Sequence, residues 1–255
     1  MKVLILNGSP KRKGSASGFL AAVARPMLSG CRVVSSPLHG KGDYANARKQ
    51  LSDIDAVLLC VPLYVDGIPS HVQEFLEETE QYCRNRNLRF RLYVISNNGF
   101  IEGRQNAIHL KMYQCWCEHA GVIWGGGIGI GGGMMLHALS MVYPFVFLGF
   151  ALCALYSFIH TGTAPTGLLR SFAENLLIYL FLNSGMLVLI ARLASNIKKG
   201  ATAADRFTRV MLPSFLFLVF ADVFMILSAL FHGRLLFPLL KKDSADDSML
   251  HSVVQ

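Results

Sequence analysis

Short, almost wholly apolar segments recur along the first half of the chain, and each is followed by a loop and then by an amphipathic stretch. Such runs are typical of strands that are buried on both faces, as in a parallel sheet with helical crossovers. Because strand and helix patterns alternate five times, the sequence predicts a doubly wound α/β domain with a five-stranded parallel sheet. The predicted strands are residues 2–7, 31–35, 55–61, 89–96 and 122–130.

One of the intervening helices is predicted at residues 104–120. Its apolar residues recur at helical spacing, which favours a buried stripe formed by Ile108, Met112 and Cys115. We therefore expect this face of the helix to pack on the sheet.

Three loops follow the first, third and fourth predicted strands, at residues 8–15, 62–69 and 97–100. Right-handed crossovers place helices on both faces of such a sheet. Ligands then bind beyond the carboxyl ends of the strands, where these loops meet. A binding site is therefore expected at this edge of the sheet.

The first loop has the composition of a phosphate-binding turn. A dianionic phosphate is held by unpaired backbone N–H groups and by the positive end of a helix dipole. Gly8 and Gly14 allow the backbone to pass close to such an anion, and the basic residues 11–13 add positive charge. The spacing matches neither the GxGxxG motif nor a Walker loop. The alternative is an ordinary turn whose basic residues are solvated.

Four segments carry a resemblance to a known family. Two motifs of the NADPH-dependent FMN reductase family resemble segments of this chain. One is residues 7–17, which begin with Asn-Gly-Ser-Pro-Lys, and the other is residues 62–69, which begin with Pro-Leu-Tyr. Residues 97–100 stand where that family has its third flavin loop, and the glycine-rich residues 125–133 are also similar to its members. The resemblance implies a flavodoxin-like fold, FMN as cofactor and NADPH or NADH as electron donor.

Position by position, the resemblance implies three groups of cofactor-binding residues. The FMN phosphate would be surrounded by Ser9, Lys11, Ser15, Ala16 and Ser17. The isoalloxazine ring and the ribityl chain would be lined by Pro62, Leu63 and Tyr64. The other side of the ring would be closed by Asn97, Asn98 and Gly99.

The resemblance also implies a homodimer and a small-molecule electron acceptor. We name no catalytic side chain, because the redox chemistry belongs to the flavin. Some relatives carry closely spaced cysteines after the second loop for an iron–sulfur cluster. Only Cys83 lies in that region here, so we expect no metal site.

The second half of the chain has a different composition. Charged residues make up only 16% of the whole chain, whereas soluble proteins carry about 25%. A helix needs about 20 apolar residues to cross the hydrocarbon core of a membrane. We therefore predict a flavodoxin-like FMN-binding domain at residues 1–135, a membrane region at 136–235 and a polar tail at 236–255. Its three transmembrane helices are predicted at residues 139–159, 176–193 and 211–231.

The charge distribution indicates an orientation and a class of partner. Residues 192–210 hold five Lys or Arg residues, whereas the connection between the first two spans holds only Arg170. This asymmetry places residues 192–210 in the cytosol. The formal net charge of +8 suits anionic membrane lipid, and no stripe of basic and aromatic residues indicates nucleic acid. The sequence predicts a multi-pass cell-membrane protein with its flavodoxin-like domain in the cytoplasm.

Three functional hypotheses follow from these features. The first is a membrane-anchored FMN-dependent oxidoreductase that passes electrons from NADPH or NADH to a quinone, a flavin or another small acceptor. The second is a non-catalytic flavin-binding module that carries electrons or senses redox state beside a membrane partner. The third is a scaffold that has lost its flavin. The sequence also leaves open whether residues 185–199 cover the sheet or cross a bilayer.

Overall fold

A computed structural model of the chain describes residues 1–163 and 165–231. Each predicted strand coincides with an observed strand to within two residues at either end. The strands are β1 (Lys2–Asn7), β2 (Arg32–Pro37), β3 (Ala56–Pro62), β4 (Arg91–Asn97), β5 (Ile123–Gly131) and β6 (Arg206–Arg209). The helices are α1 (Ala16–Met27), α2 (Lys41–Gln50), α3 (Ser70–Arg86), α4 (Ala107–Ala120), α5 (Gly133–Thr161), α6 (Thr166–Lys199) and α7 (Ser214–Phe231).

The sheet is parallel, with the strand order β2-β1-β3-β4-β5-β6. Its first five strands follow the flavodoxin-like order, in which the chain reverses direction across the sheet between β1 and β3. The sheet has six strands, so the prediction of five is wrong. The sixth strand pairs with β5, with Ile128 opposite Arg206. It was missed because it has only four residues, two of them arginines, and lacks an apolar run.

Helices cover both faces of this sheet. Helices α3 and α4 pack on one face, whereas α1 and the second half of α6 pack on the other. Strand β3 is buried along its whole length, as its continuous apolar sequence predicts for a central strand. The loops that follow β1, β3 and β4 therefore meet at one edge of a rigid scaffold.

Helix α4 buries a different face from the predicted one. Ile108 and Met112 are 70% and 41% exposed, and Cys115 is also exposed. The buried face carries His109 and Tyr113, which are joined by a hydrogen bond of 3.1 Å between Nε2 and Oη. The predicted stripe is wrong because polar side chains that satisfy each other can replace apolar ones in a core.

Helix α6 has two different environments. From Asn183 onward its inward side chains are buried against the sheet and α1, and Met186, Ile190 and Leu193 are each at most 3% exposed. Residues 185–199 therefore cover the sheet, which settles the question that the sequence left open. The C-terminal part of the predicted span at 176–193 is thus buried against the sheet and α1. In contrast, residues 166–182 include no buried residue.

Helix α5 leaves the sheet after its first turn, and only Gly133 and Leu136 are buried. Beyond that turn it runs antiparallel to the first half of α6. The ring centroids of Tyr143 and Tyr179 are 4.5 Å apart, and those of Phe147 and Phe172 are 5.3 Å apart. We call residues 139–161 and 166–182 together the apolar hairpin. By length and composition, α5 and α6 could each cross a membrane.

The chain divides into two compact units, residues 1–211 and 212–255. The whole sheet and the apolar hairpin belong to the first unit, so the sheet extends beyond the predicted boundary at residue 135. The second unit contains α7, which coincides with the third predicted span at 211–231. The predicted polar tail at 236–255 lies outside the described residues.

Candidate functional site

A cavity of about 300 Å³ lies beyond the carboxyl ends of β1, β3 and β4. Doubly wound sheets bind their ligands at this position, where the strand order reverses. The volume is at the lower end of the range for small-molecule pockets, about 300–1,000 Å³. Every residue that the sequence suggested for a flavin lines this cavity: Ser9, Lys11, Ser15, Ala16, Ser17, Pro62, Leu63, Tyr64, Asn97, Asn98 and Gly99.

Helix α1 begins at the cavity, and its first turn carries donors that the helix itself cannot use. Ser15 is the N-cap residue, and its hydroxyl accepts a hydrogen bond from the Gly18 N–H at 3.1 Å. The N–H groups of Ala16 and Ser17 belong to the first turn, which has no intrahelical acceptors. Together with the helix dipole they favour an anion. The ammonium group of Lys11, another residue of the cavity wall, adds a positive charge.

Two histidines hold the loop that precedes α1. Because a carbonyl oxygen only accepts, His71 Nε2–H donates to Gly8 O and His39 Nδ1–H donates to Ser9 O, each at 3.0 Å. Burial lowers the pKa of His71, and His39 lowers it further, while the hydrogen bond to Gly8 opposes both effects. Neither histidine lines the cavity, so the two carbonyls are engaged away from the place where a ligand would lie.

Strand β4 ends in two buried asparagines that differ in their bonding. Asn97 Nδ2 donates to Ser17 Oγ and to Val61 O, each at 2.9 Å, which leaves the Ser17 O–H free to donate elsewhere. Asn98 Nδ2 donates to Glu102 O at 3.1 Å. Its Oδ1, however, is buried with no hydrogen-bond partner within the described ranges. Such an atom costs about 1–3 kcal/mol, and a donor on a ligand would remove that cost.

The second loop forms a tight turn at the mouth of the cavity. Gly67 N donates to Tyr64 O at 3.0 Å, and the two residues between them, Val65 and Asp66, have φ of 47° and 57°. This is the conformation of a type I′ turn, which asparagine and glycine normally occupy. Val65 is β-branched and fully solvent-exposed, so no contact offsets its backbone strain. Tyr64 is 44% exposed and accessible to a ligand.

A buried chain of hydrogen bonds lies behind the third loop. Asn106 Nδ2 donates to Gly103 O at 2.9 Å, and its Oδ1 accepts from the Ser96 hydroxyl at 2.7 Å. His109 Nδ1 must then donate to Ser96 Oγ at 2.7 Å, and its Nε2 accepts from the Tyr113 hydroxyl. Burial lowers the pKa of His109 to about 4, which keeps the ring neutral. These hydrogen bonds fix the C-terminal end of β4, from which the third loop extends.

Four residues of the cavity wall were not among the predicted binding residues: Gly14, Gly133, Met134 and His137. Three of them come from the start of α5, which the sequence assigned to a domain boundary. Gly133 N donates to Asn98 O at 2.6 Å, and a Cβ atom at Gly133 would lie 2.7 Å from Asn97 Oδ1. Only glycine fits at this position. The glycine-rich run at 125–133 was the one sequence signal of such a close approach.

No family model and no curated protein matches the chain. Among solved structures, it is similar to the Trp repressor binding protein from Bacillus subtilis, with 14% identity, a TM-score of 0.42 and coverage of 49% of this chain and 85% of that one. An NAD(P)H:quinone oxidoreductase from Methanothermobacter marburgensis has 17% identity and a TM-score of 0.42, over 52% and 87% of the two chains. The flavoenzyme FerB from Paracoccus denitrificans, an NAD(P)H:(acceptor) oxidoreductase, has 19% identity and a TM-score of 0.40, over 48% and 74%. The strand order, rather than these distant similarities, defines the fold.

Proposed function

We propose that the protein is a membrane-anchored flavoprotein that uses FMN to pass electrons from NADPH or NADH to a quinone, a flavin or another small acceptor. The observation that supports this proposal is the cavity at the carboxyl ends of the strands. Its wall includes the first turn of α1, Lys11 and Asn98, whose buried Oδ1 has no hydrogen-bond partner among the described residues.

These groups fit the separate parts of FMN. The unpaired N–H groups of Ala16 and Ser17, beside Lys11, suit a dianionic phosphate. The unpartnered Asn98 Oδ1 suits the imide N–H of an isoalloxazine ring, because each group would satisfy the other. The exposed ring of Tyr64, at the mouth, suits stacking on a flat aromatic system.

When bound, FMN supplies the redox chemistry, accepting a hydride from a nicotinamide and delivering electrons to the acceptor. The protein contributes binding and orientation. The Asn97 amide holds the Ser17 oxygen at 2.9 Å, so the Ser17 hydroxyl hydrogen is directed to another acceptor. Lys11 compensates negative charge at the same end of the cavity. Tyr64, in the turn at the mouth of the cavity, would hold one face of the flavin ring.

The apolar hairpin supports the membrane anchor. An apolar core helix of a soluble protein is mostly buried, but none of the most apolar 18-residue window of α5 is buried. Helix α5 has 29 residues and is about 43 Å long, which exceeds the hydrocarbon core of about 30 Å. Both ends of the apolar hairpin connect to the sheet domain. The first arm follows β5, and the second arm continues into the half of α6 that covers the sheet. We therefore propose that it enters and leaves the bilayer from the cytoplasmic side.

Membrane lipid would surround the apolar hairpin, and α7 would add a third span. The protein would act as a homodimer, as the sequence resemblance implies.

The test is to extract the full chain from membranes with detergent and to record its visible spectrum. We expect flavin absorption that NADPH or NADH bleaches in the absence of oxygen. Ala16→Glu is the informative variant, because a glutamate in the first turn suits the helix dipole but repels a phosphate. Ala22→Glu, at an exposed position of the same helix, is the matched control and should retain flavin.

Two other results would redirect the proposal. A yellow protein that no nicotinamide bleaches would favour the non-catalytic electron carrier. A colourless protein that cannot be loaded with FMN would contradict flavin binding altogether.

A further inference from the structure

The start of α5 joins the cavity to the apolar hairpin. Gly133 N donates to Asn98 O at 2.6 Å, and Gly132 N donates to Phe100 O at 2.5 Å. These bonds fix the first turn of α5 against the third loop. One turn further along, His137 lines the same cavity. The helix that continues into the apolar hairpin therefore supplies part of the candidate flavin site.

His137 lies at the end of the cavity that α1 and the first loop form. A Cβ atom at Gly14 would lie 3.7 Å from His137 Cε1 and 3.8 Å from its Nε2. Gly14 immediately precedes Ser15, the N-cap residue of α1. The imidazole therefore lies beside the residue that precedes the N-cap of α1, in the cavity that the first turn of α1 also lines.

The ring of His137 is available to a ligand. His39, His71 and His109 each use at least one ring nitrogen in a hydrogen bond to the protein. Within residues 1–163 and 165–231, the ring nitrogens of His137 have no such bond. The nearby Ser140 hydroxyl donates to the His137 carbonyl oxygen and not to the ring. A partly exposed imidazole with free nitrogens, close to a cation and a helix N-terminus, is suited to an anionic oxygen.

We propose that His137 donates a hydrogen bond to the phosphate of bound FMN, so that the phosphate is held between the N-terminus of α1 and the first turns of α5. This inference rests on the proposed function. It adds a phosphate-binding side chain that lies outside the three loops predicted from the sequence. It also means that FMN binding stabilises the junction at which the apolar hairpin leaves the sheet.

Comparison of FMN with riboflavin, which lacks the phosphate, tests this contact. Binding of each flavin to the detergent-solubilised full chain is measured by quenching of flavin fluorescence, for the wild type, His137→Ala and His137→Lys. We expect His137→Ala to weaken FMN binding about tenfold and to leave riboflavin binding unchanged. His137→Lys should recover most of the lost FMN affinity, because an ammonium group also donates to phosphate.

His160→Ala is the matched control, because His160 lies near the far end of the same helix and is exposed. It should bind FMN like the wild type. The phosphorus NMR signal of bound FMN should shift in His137→Ala and not in His160→Ala, which a purely structural role would not produce.

The outcomes separate the inference from the function on which it rests. Equal losses of FMN and riboflavin affinity, or unchanged FMN affinity, in His137→Ala would overturn the role of His137 while leaving FMN binding intact. A wild-type chain that binds neither flavin would overturn both proposals.

Discussion

The two halves of α6 are both rich in apolar residues, yet they have opposite environments. Leu193, in the second half, is 3% exposed and covers the sheet, whereas Leu177, in the first half, is 66% exposed. Hydropathy alone does not distinguish a helix that covers a sheet from one that faces lipid. The difference arises from what lies beside the helix: β5, β6 and α1 for the second half, and mainly α5 for the first.

The largest effect is expected from charges in the apolar hairpin. Leu148, Leu152 and Leu155 lie at helical spacing on α5, and each is more than half exposed. A lysine near the bilayer centre costs about 2.5–3.5 kcal/mol, so three would strongly oppose insertion. We expect the triple lysine variant to be lost from the membrane fraction that resists carbonate extraction.

The chain offers a control with the same spacing outside the hairpin. Ile108, Met112 and Cys115 are exposed on α4, and lysine at all three should leave membrane association unchanged. If both triple variants remain in the membrane fraction, the distinction between lipid-facing and water-facing apolar residues is wrong.

The next effect compares the two halves of α6 directly. Leu193→Ala removes a buried side chain and should lower the free energy of unfolding by about 2–5 kcal/mol. Leu177→Ala changes an exposed side chain and should alter it by no more than about 0.5 kcal/mol. Denaturant titration of the detergent-solubilised protein, followed by fluorescence of Trp116 and Trp124, measures both. Equal losses would show that the first half is also part of the folded core.

A pH effect is expected from the buried histidine of α4, His109. The pKa of His109 is lowered from about 6.5 in the unfolded chain to about 4 in the fold, because burial disfavours the charged ring. The unfolded chain therefore takes up the proton first as the pH falls. The contribution of His109 to stability is complete above pH 6.5 and is lost toward pH 4, by about 3 kcal/mol in total.

Substitution of His109 isolates its contribution to the pH dependence of stability. His109→Gln keeps hydrogen-bonding groups without a titrating ring, so its stability should depend less on pH between about 6.5 and 4. His119→Gln, at an exposed position of the same helix, should behave like the wild type. The assignment to His109 fails if the two variants have the same pH dependence.

The smallest effect is expected at the mouth of the cavity. Val65→Asn should raise the free energy of unfolding by about 1 kcal/mol, because asparagine tolerates positive φ and Val65 makes no compensating contact. Val34→Asn, on the edge strand β2, is the control and should not stabilise the protein. Thermal unfolding of the two variants in parallel measures the difference. Equal shifts would mean that backbone strain at Val65 is not the cause.

The sequence predicted those elements whose pattern lies within a few consecutive residues. Five strands were identified because each has an apolar run, but the polar helix α2, which buries only Tyr44 and Ala47, was not. Strand β6 was missed because its pairing with β5 depends on two long helices that bring residues 206–209 back to the sheet. On α4, periodicity identified the wrong face, because hydrogen bonding allows His109 and Tyr113 to be buried.

The same distinction applies to the candidate site. The loop residues could be predicted because motifs of consecutive residues carry them, and the ends of parallel strands bring the three loops together. His137 and Met134 could not, because they reach the cavity only through the path that α5 takes from the sheet. Their contribution depends on Gly133, whose lack of a side chain allows α5 to approach Asn97 and Asn98.

The most direct test of the account is to titrate the flavin-free full chain with FMN and to measure stoichiometry and Kd. The account predicts saturation at one FMN per chain and much weaker binding in Ala16→Glu than in Ala22→Glu. Failure of the wild type to bind FMN, or equal affinities for the two glutamate variants, would contradict it.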